Sequence, residues 1–353
     1  MIYRDRDAPV TYDGLIFRTY GYDHPLDACF CDLEYAPETV YTTVEPRAVR
    51  EGLPIKYFKF YFDGGLRFAM SRTSPYSLYH KSLDQVMVGV SDGQLSHVMR
   101  PEKRLVEFIE SESDPLVNAC MEVLDLVTES STLKLRDFGV FGSIAFGFHN
   151  PVYSDIDLII YGKRELQELR ETLAILYEKG SLRNEFDNWS LQGSPAHWNF
   201  TRYTKEEYGR LQCRKGVYAI YTSESLGREV KIEFEPVKRW EEITNEYETT
   251  ERILSLGRIE AVVEILDEEE GGFMPATWPV RLKEVEEGVG CEEVQRIVSY
   301  VEEFRLQVET GETALIRGNL ERIETPGRDF HQITLSYGQD YFDQVLKPLG
   351  QAS

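Results

Sequence analysis

Two aspartates separated by one residue are the strongest chemical feature of the sequence. Asp155 and Asp157 lie in the run SDIDLII, whose apolar residues are typical of a buried β-strand. Because the side chains of a strand alternate between its two faces, both carboxylates project from one face, while Ile156 and Leu158 point into the core. Two carboxylates at this spacing can share hard divalent cations such as Mg²⁺ or Mn²⁺, which prefer oxygen ligands.

A third acidic ligand is expected, because two aspartates alone would leave a pair of metal ions with too few ligands. The segment EVKIEFEP, residues 229–236, alternates as a strand, with apolar residues on one face and charged residues on the other. Glu233 is our first choice, because it is central in this strand and has apolar neighbours, and Glu235 is the second. The charges of a solvated edge strand would produce the same pattern, so the choice stays open.

Gly142 and Ser143 end a short apolar strand, and eleven residues separate Ser143 from Asp155. Glycine allows a phosphate to approach the backbone closely. A helix that starts here would supply free N–H groups, and the serine hydroxyl can donate to a phosphate oxygen. A Gly-Ser pair alone mostly marks a turn, so its meaning comes from its place between a strand and the Asp-x-Asp strand.

A local basic cluster stands out in an acidic chain: Lys205, Arg210, Arg214 and Lys215. Arginine suits phosphate through its fork of donors, so Arg214 and Lys215 are predicted contacts of a triphosphate. A solvated helix face, with the glutamates of the same helix as partners, is the alternative.

The motif Phe141-Gly142-Ser143, followed after a short spacer by Asp155-Ile156-Asp157, resembles the signature of the DNA polymerase beta superfamily of nucleotidyltransferases. The match covers a short part of the 353-residue chain and extends to the 229–236 strand if the third acid is included. The overall layout is also similar to that of archaeal predicted nucleotidyltransferases of unassigned substrate.

The resemblance implies a role for each motif residue. Gly142 and Ser143 would hold a nucleoside triphosphate, Asp155 and Asp157 would bind two Mg²⁺ ions, and the third acid would act as a base or a shared ligand. A nucleoside monophosphate would be transferred and pyrophosphate would leave.

The sequence departs from the superfamily at two points. Phe146 stands where small members often carry Arg or Tyr, which puts that phosphate or sugar contact in doubt. The third acid is a glutamate, Glu233 or Glu235, where aspartate is more common.

We expect an α+β fold: a nucleotidyltransferase-type mixed sheet backed by helices, flanked by β-rich N-terminal and C-terminal modules. The predicted boundaries are 1–100 for the N-terminal module, 101–245 for the nucleotidyltransferase domain and 246–353 for the C-terminal module.

Several elements inside these modules can be predicted. Residues 57–62 and 66–70 indicate two strands joined by a tight turn at Gly64-Gly65. Asp114-Pro115 is a favourable helix start. Residues 252–266 indicate a strand, and residues 291–310 indicate a helix passing into a strand.

Composition limits the partners. Lys and Arg number 39 against 61 Asp and Glu, a formal charge of −22, which repels duplex DNA and anionic membranes. No apolar run reaches the roughly 18 residues of a spanning helix, and the charged N-terminus is not a secretory signal, so a cytoplasmic protein is expected. The five cysteines lack zinc-site spacing and are expected to be free thiols.

These observations favour an enzyme that transfers a nucleoside monophosphate from a triphosphate to an acceptor, which could be a small molecule, a protein or an RNA end. One alternative is a regulator that binds NTP on the same fold with weakened catalysis. Another is an RNA-binding or RNA-end-processing protein, in which the flanking modules hold the RNA.

Overall fold

The computed structural model describes residues 2–61, 64–71, 75–111, 114–150, 152–187, 200–338 and 340–350. The chain forms two compact units. The first comprises Met1–His80, Gln85–Arg183 and Val217–Asn245, and the second comprises Lys81–Asp84, Asn184–Gly216 and Glu246–Ser353. This division differs from the three predicted modules, because the first two modules share one unit and residues 184–216 join the second.

An antiparallel sheet of eight strands forms the N-terminal part of the first unit. Its strands are β1 (Ala8–Thr11), β2 (Ile16–Thr19), β3 (Ala28–Pro37), β4 (Val49–Arg50), β5 (Tyr57–Lys59), β6 (Ser77–His80), β7 (Gln85–Ser91) and β8 (Leu95–Met99). The long strand β3 is central and pairs with β2, β5 and β7. The predicted β-rich character of this region is confirmed.

The predicted strand at residues 66–70 is wrong, because these residues lie in helix α1 (Gly64–Ser71). Gly65 and Ala69, four residues apart, are the buried positions of this helix, which is helical and not strand spacing. A Cβ on Gly65 would overlap the carbonyl oxygen of Leu33, so the glycine lets the helix lie directly on β3.

A mixed sheet of five strands carries the carboxylate motifs, in the order β11-β12-β13-β10-β9. Its strands are β9 (Phe138–Phe141), β10 (Ile156–Tyr161), β11 (Arg183–Asn184), β12 (Tyr218–Ser223) and β13 (Arg228–Val237). The central strand β10 runs antiparallel to β9 and parallel to β13. Parallel pairing of β10 and β13 therefore brings two chain segments of distant sequence side by side.

Four helices of the first unit accompany this sheet, and a fifth belongs to the second unit. They are α2 (Pro101–Ser111), α3 (Pro115–Glu129), α4 (Gly142–Ala145), α5 (Lys163–Glu178) and, in the second unit, α6 (Lys205–Arg214). Helix α3 begins as predicted, because the Asp114 carboxylate accepts hydrogen bonds from the N–H groups of Leu116 and Val117 at 2.8 and 2.9 Å. The prediction of an α+β fold with a mixed sheet backed by helices is confirmed.

The second unit is built around a closed barrel. Its strands are β14 (Arg252–Ile265), β15 (Ala276–Gly288), β16 (Arg296–Ser299), β17 (Thr313–Glu324), β18 (Asp329–Leu335) and β19 (Val345–Pro348). The order is β14-β15-β16-β18-β17, and β14 also pairs with β17, so that five strands close a ring around the buried Trp278. A five-stranded Greek-key barrel is the architecture of OB folds, but a fold by itself assigns no activity.

The predicted strand at residues 252–266 is confirmed by β14, whereas the predicted helix within residues 291–310 is wrong. That segment forms β16 and a short 3-10 helix at Glu302–Phe304. Ile297 and Phe304 are both buried in the barrel core, so long-range burial decides the conformation of this segment over its local spacing. Across the described parts of both units, no helix combines the length and the apolar character needed to cross a bilayer.

Candidate active site

The two aspartates lie at the start of the central strand of the mixed sheet. Asp155 directly precedes β10, and Asp157 is the second residue of that strand. Ile156 and Leu158 are fully buried on the opposite face, as strand alternation requires. Asp155 is exposed to solvent and Asp157 is half-buried.

Glu233 lies beside Asp157 in the neighbouring strand. The two residues are register partners in the parallel pairing of β10 with β13, and paired residues project from the same face of a sheet. The carboxylate of Glu233 is half-buried and lies 2.5 Å from the ammonium group of Lys231. The register therefore places Asp155, Asp157 and Glu233 on one face of the sheet.

Glu235 is also on this face but is already engaged. It lies one step further along β13, opposite Ile159, and is buried. A guanidinium nitrogen of Arg6 donates to its carboxylate at 2.8 Å, and Arg6 is itself buried. A buried carboxylate with a buried cationic partner is a structural contact between the N-terminal segment and β13.

The Gly142-Ser143 turn touches Asp157 directly. Phe141 is the register partner of Asp157 in the antiparallel pairing of β9 and β10, so the turn begins beside that aspartate. Gly142 has a φ of +66°, and a Cβ at this position would overlap the Asp157 carboxylate. Both the conformation and the contact therefore require glycine.

The crowding of carboxylates changes their acidity. Burial, assisted by the negative charge of Glu233, raises the pKa of Asp157 to about 7. Burial of its carboxylate raises the pKa of Asp155 as well, although the charge of Lys231 opposes the shift. A cation bound beside Asp157 would favour the ionised form of its carboxyl group near neutral pH.

The donor set fits a hard divalent cation, since it consists of carboxylate oxygens alone. Within residues 2–350 as described, no three acidic, histidine or cysteine side chains already converge as a metal-binding group. The Glu233 side chain points to Lys231, so it must change its rotamer to serve as a third ligand of a metal held by Asp155 and Asp157.

Comparison with known proteins agrees with this geometry. Residues 120–210 match the family described as the nucleotidyltransferase domain. The matched segment contains Gly142, Ser143, Asp155 and Asp157, and it ends before β13. The match indicates an enzyme that transfers nucleotidyl groups.

The chain also has a full-length relative. An uncharacterized protein of the archaeon Methanocaldococcus jannaschii is 26% identical over 357 residues, which cover 98% of each chain. No solved structure matches the chain. The similarity therefore extends over the segments that form the N-terminal sheet and the C-terminal barrel of this chain.

The predicted phosphate contacts Arg214 and Lys215 lie in the second unit, and the structure gives both of them protein partners there. Arg214 forms ion pairs with Glu309 and Glu312 at 2.9 and 2.8 Å. Lys215 is fully buried and donates to the carbonyl oxygen of Glu302 at 3.1 Å. Their role in binding a triphosphate remains a prediction.

Phe146 is half-buried and packs against other aromatic rings. Its ring stacks on Phe148 with 5.4 Å between ring centroids and lies 5.8 Å from the ring of Tyr35 in β3. The departure from the Arg or Tyr of small superfamily members thus has a packing role in this chain.

Our sequence analysis missed one charged residue next to the nucleotidyltransferase motif. Lys59 of β5 lies close enough to Asp157 for its charge to oppose the raised pKa of that carboxyl group. The only local signal is a lysine at an inward position of the aromatic segment KYFKFYF, which does not identify a site by itself.

Proposed function

We propose that this protein is a Mg²⁺-dependent nucleotidyltransferase that moves a nucleoside monophosphate from an NTP to an acceptor and releases pyrophosphate. The observation that carries the proposal is the contact of Gly142 with the Asp157 carboxylate, which joins the Gly-Ser turn to the acidic group. A backbone without a side chain next to paired carboxylates is suited to a phosphate chain with its divalent cation.

Each residue of the site has a role in this reaction. Asp155 and Asp157 would hold Mg²⁺, which when bound would withdraw charge from the phosphates and favour the ionised form of an acceptor hydroxyl. Ser143 donates from its hydroxyl to a phosphate oxygen, and the Gly142 turn leaves room for the chain of phosphates. Glu233 serves as the third acid, since it lies in register with Asp157, whereas Glu235 is occupied by Arg6.

The proposed bond changes are those of a single phosphoryl displacement. The acceptor oxygen forms a bond to the α-phosphorus, and the bond from that phosphorus to the oxygen bridging to the β-phosphate breaks. Pyrophosphate leaves with the bonding electrons, and the acceptor proton passes to Glu233. The acceptor is a small molecule, a protein or an RNA end.

Release of pyrophosphate tests this function. The purified protein is incubated with each of the four NTPs, with Mg²⁺ or Mn²⁺, and with a panel of small-molecule, protein and RNA acceptors. We expect release with at least one combination, abolition by Asp157→Asn, and no change for Asp125→Asn, an exposed aspartate of α3. Absence of release with every combination would contradict the enzyme proposal.

A regulator that binds NTP without turnover is the second candidate. The pairing of Glu233 with Lys231 at 2.5 Å favours it, because that pairing holds the third acid away from the aspartates. Tight binding of ATP·Mg²⁺ without pyrophosphate release would identify the regulator. A steep fall of RNA affinity with salt would instead indicate an RNA-binding protein, which the charge of −22 disfavours.

A further inference from the structure

One face of the N-terminal sheet packs on the loop that follows the Gly-Ser turn. Tyr35 of β3 and Tyr57 of β5 contact the ring of Phe148 with centroid distances of 4.9 and 5.5 Å. The backbones of the two segments are also close, because a Cβ on Gly52 would lie 2.8 Å from the carbonyl oxygen of Gly147. The N-terminal sheet therefore packs against the segment that directly follows the Gly-Ser turn, within the same compact unit.

Two cations lie on this face. Tyr35 is the register partner of Lys59, and Arg50 is the register partner of Tyr57. Register partners share a face, and Tyr57 and Lys59 are two apart on one strand, so all four side chains project from the same side. Arg50 and Lys59 thus point to the side on which Phe148 packs.

The ammonium group of Lys59 has aromatic neighbours and no ionic partner in the described part of the chain. It lies 6.0 Å from the ring centroid of Tyr35 and 5.8 Å from that of Tyr61. Lys59 is half-buried, and among the described residues no carboxylate lies within ion-pair distance of its nitrogen. Glu34 and Asp157 favour its charged form from a longer range, and its N–H donors can still meet an anion.

The charge balance identifies the kind of anion. In the empty site Glu34 and Asp157 partly offset the charge of Lys59. Divalent cations bound to Asp155 and Asp157 would cancel the contribution of Asp157. Arg50 adds a further positive charge nearby: its guanidinium donates to the carbonyl oxygens of Arg47 and Val49, and its buried Nε atom has no hydrogen-bond partner. A triphosphate, with about four negative charges, would restore the balance.

We propose that Lys59 is a nucleotide-binding residue whose ammonium group contacts the triphosphate held at the Gly142-Ser143 turn. This inference rests on the proposed function and gives the N-terminal sheet a role in it: the sheet supplies a phosphate ligand that the nucleotidyltransferase motif itself lacks. The competing role for Lys59 is that of a counterion that only balances Asp157 in the empty protein.

Equilibrium binding of ATP in the presence of Mg²⁺ is the first measurement, on the full-length protein and three variants. Lys59→Met removes the charge and Lys59→Arg keeps it. Lys56→Met is the matched control, because Lys56 is exposed and pairs with Glu51 at 2.6 Å. We expect Lys59→Met to weaken ATP binding about 10- to 100-fold, the effect of one charge-assisted hydrogen bond, with Lys59→Arg and Lys56→Met within about 3-fold of the parent protein.

Two further titrations separate a phosphate contact from a counterion. Relative to the parent protein, the affinity of Lys59→Met for inorganic tripolyphosphate is expected to fall as much as its affinity for ATP. Its affinity for AMP should fall by less than about 3-fold. Affinity for Mn²⁺ without nucleotide is measured on the same proteins. Tighter Mn²⁺ binding by Lys59→Met, together with unchanged ATP affinity, would overturn the proposal and identify Lys59 as a counterion.

The outcomes distinguish this inference from the proposed function. If the parent protein releases pyrophosphate and Lys59→Met keeps the parental affinity for ATP, the proposed function stands and the inference about Lys59 is overturned. Failure of the parent protein to bind any NTP overturns both. If Lys59→Met lowers the melting temperature, Lys59→Gln, which also lacks the charge but keeps a donor, is titrated in the same way.

Discussion

Gly142 affects both the backbone conformation of the turn and the position of the Asp157 carboxylate. Its φ of +66° belongs to the left-handed region, and its Cα lies against the carboxylate of Asp157. A larger residue would have to strain the backbone and displace the aspartate together. The position therefore controls the geometry of the acidic group as well as access for a phosphate.

Replacing Gly142 by alanine is expected to damage both stability and activity. We predict that Gly142→Ala lowers the free energy of unfolding by about 1–3 kcal/mol, as measured by urea denaturation, and reduces pyrophosphate release at least tenfold. Gly180→Ala is the control, because Gly180 has a φ of +71° but open space around its Cβ position. Equal loss of activity in both variants would show that φ alone, and not contact with Asp157, matters.

The two glutamates of β13 differ in their neighbours and should differ in their variants. Glu233 is half-buried beside Asp157, and Glu235 is buried against Arg6. We predict that Glu233→Gln reduces the rate of pyrophosphate release about 100-fold or more and changes the free energy of unfolding by less than about 1 kcal/mol.

Glu235→Gln should show the reverse pattern. It leaves the buried Arg6 without its charged partner, so we expect the free energy of unfolding to fall by about 2 kcal/mol, with Asp5 at 3.7 Å from Arg6 limiting the loss. Pyrophosphate release by the folded variant should stay within a few-fold of the parent rate. An inactive Glu235→Gln with an active Glu233→Gln would make Glu235 the third acid.

At the scale of elements, the N-terminal sheet contains a buried neutral histidine. His24 accepts a hydrogen bond from the N–H of Phe30 at 3.3 Å, and its other ring nitrogen lies 3.1 Å from the carbonyl oxygen of Gly21. Burial lowers the pKa of His24 to about 4, from an ordinary value of 6.5. Because the unfolded chain takes up a proton first as pH falls, the folded state loses stability from about pH 6.5 down to about pH 4.

This linkage predicts a pH-dependent stability that one substitution reduces. Between pH 7 and pH 5, His24 is expected to account for a loss of about 2 kcal/mol in the free energy of unfolding. Urea denaturation of His24→Gln should therefore show a smaller change over this range than the parent protein. His97→Gln, at an exposed position of β8, should keep the parental pH dependence, and equal slopes for all three proteins would contradict the assignment.

At the scale of the whole molecule, the charge of −22 opposes the compact state. Added salt shortens the Debye length from roughly 14 Å at 0.05 M to roughly 4 Å at 0.5 M and so weakens this repulsion. We predict that the melting temperature rises by several degrees over this range of NaCl. A glycine betaine series controls for exclusion of solute from the surface, and a flat or falling response to NaCl would show that carboxylate repulsion does not limit stability.

The two units show which elements of the fold can be predicted from local sequence and which cannot. The alternation of Asp155, Ile156 and Asp157 predicts strand β10 and the common face of its carboxylates, and the long β14 strand is predicted equally well. Helix α1 and the short elements near residues 296–304 are predicted wrongly. Their conformation depends on burial against Leu33 and on packing in the barrel core, which no short window of sequence contains.

For the candidate site, the sequence by itself determined the Gly142-Ser143 turn, the two aspartates and the pair of glutamates. Period-two alternation acts over neighbouring residues, so it can be read locally. The tertiary structure alone decided that Glu233 faces Asp157, that Glu235 meets Arg6, and that Lys59 comes to the site. Those relations depend on the register of β10 with β13 and on the packing of a distant sheet, where burial of apolar faces far apart in sequence selects the partners.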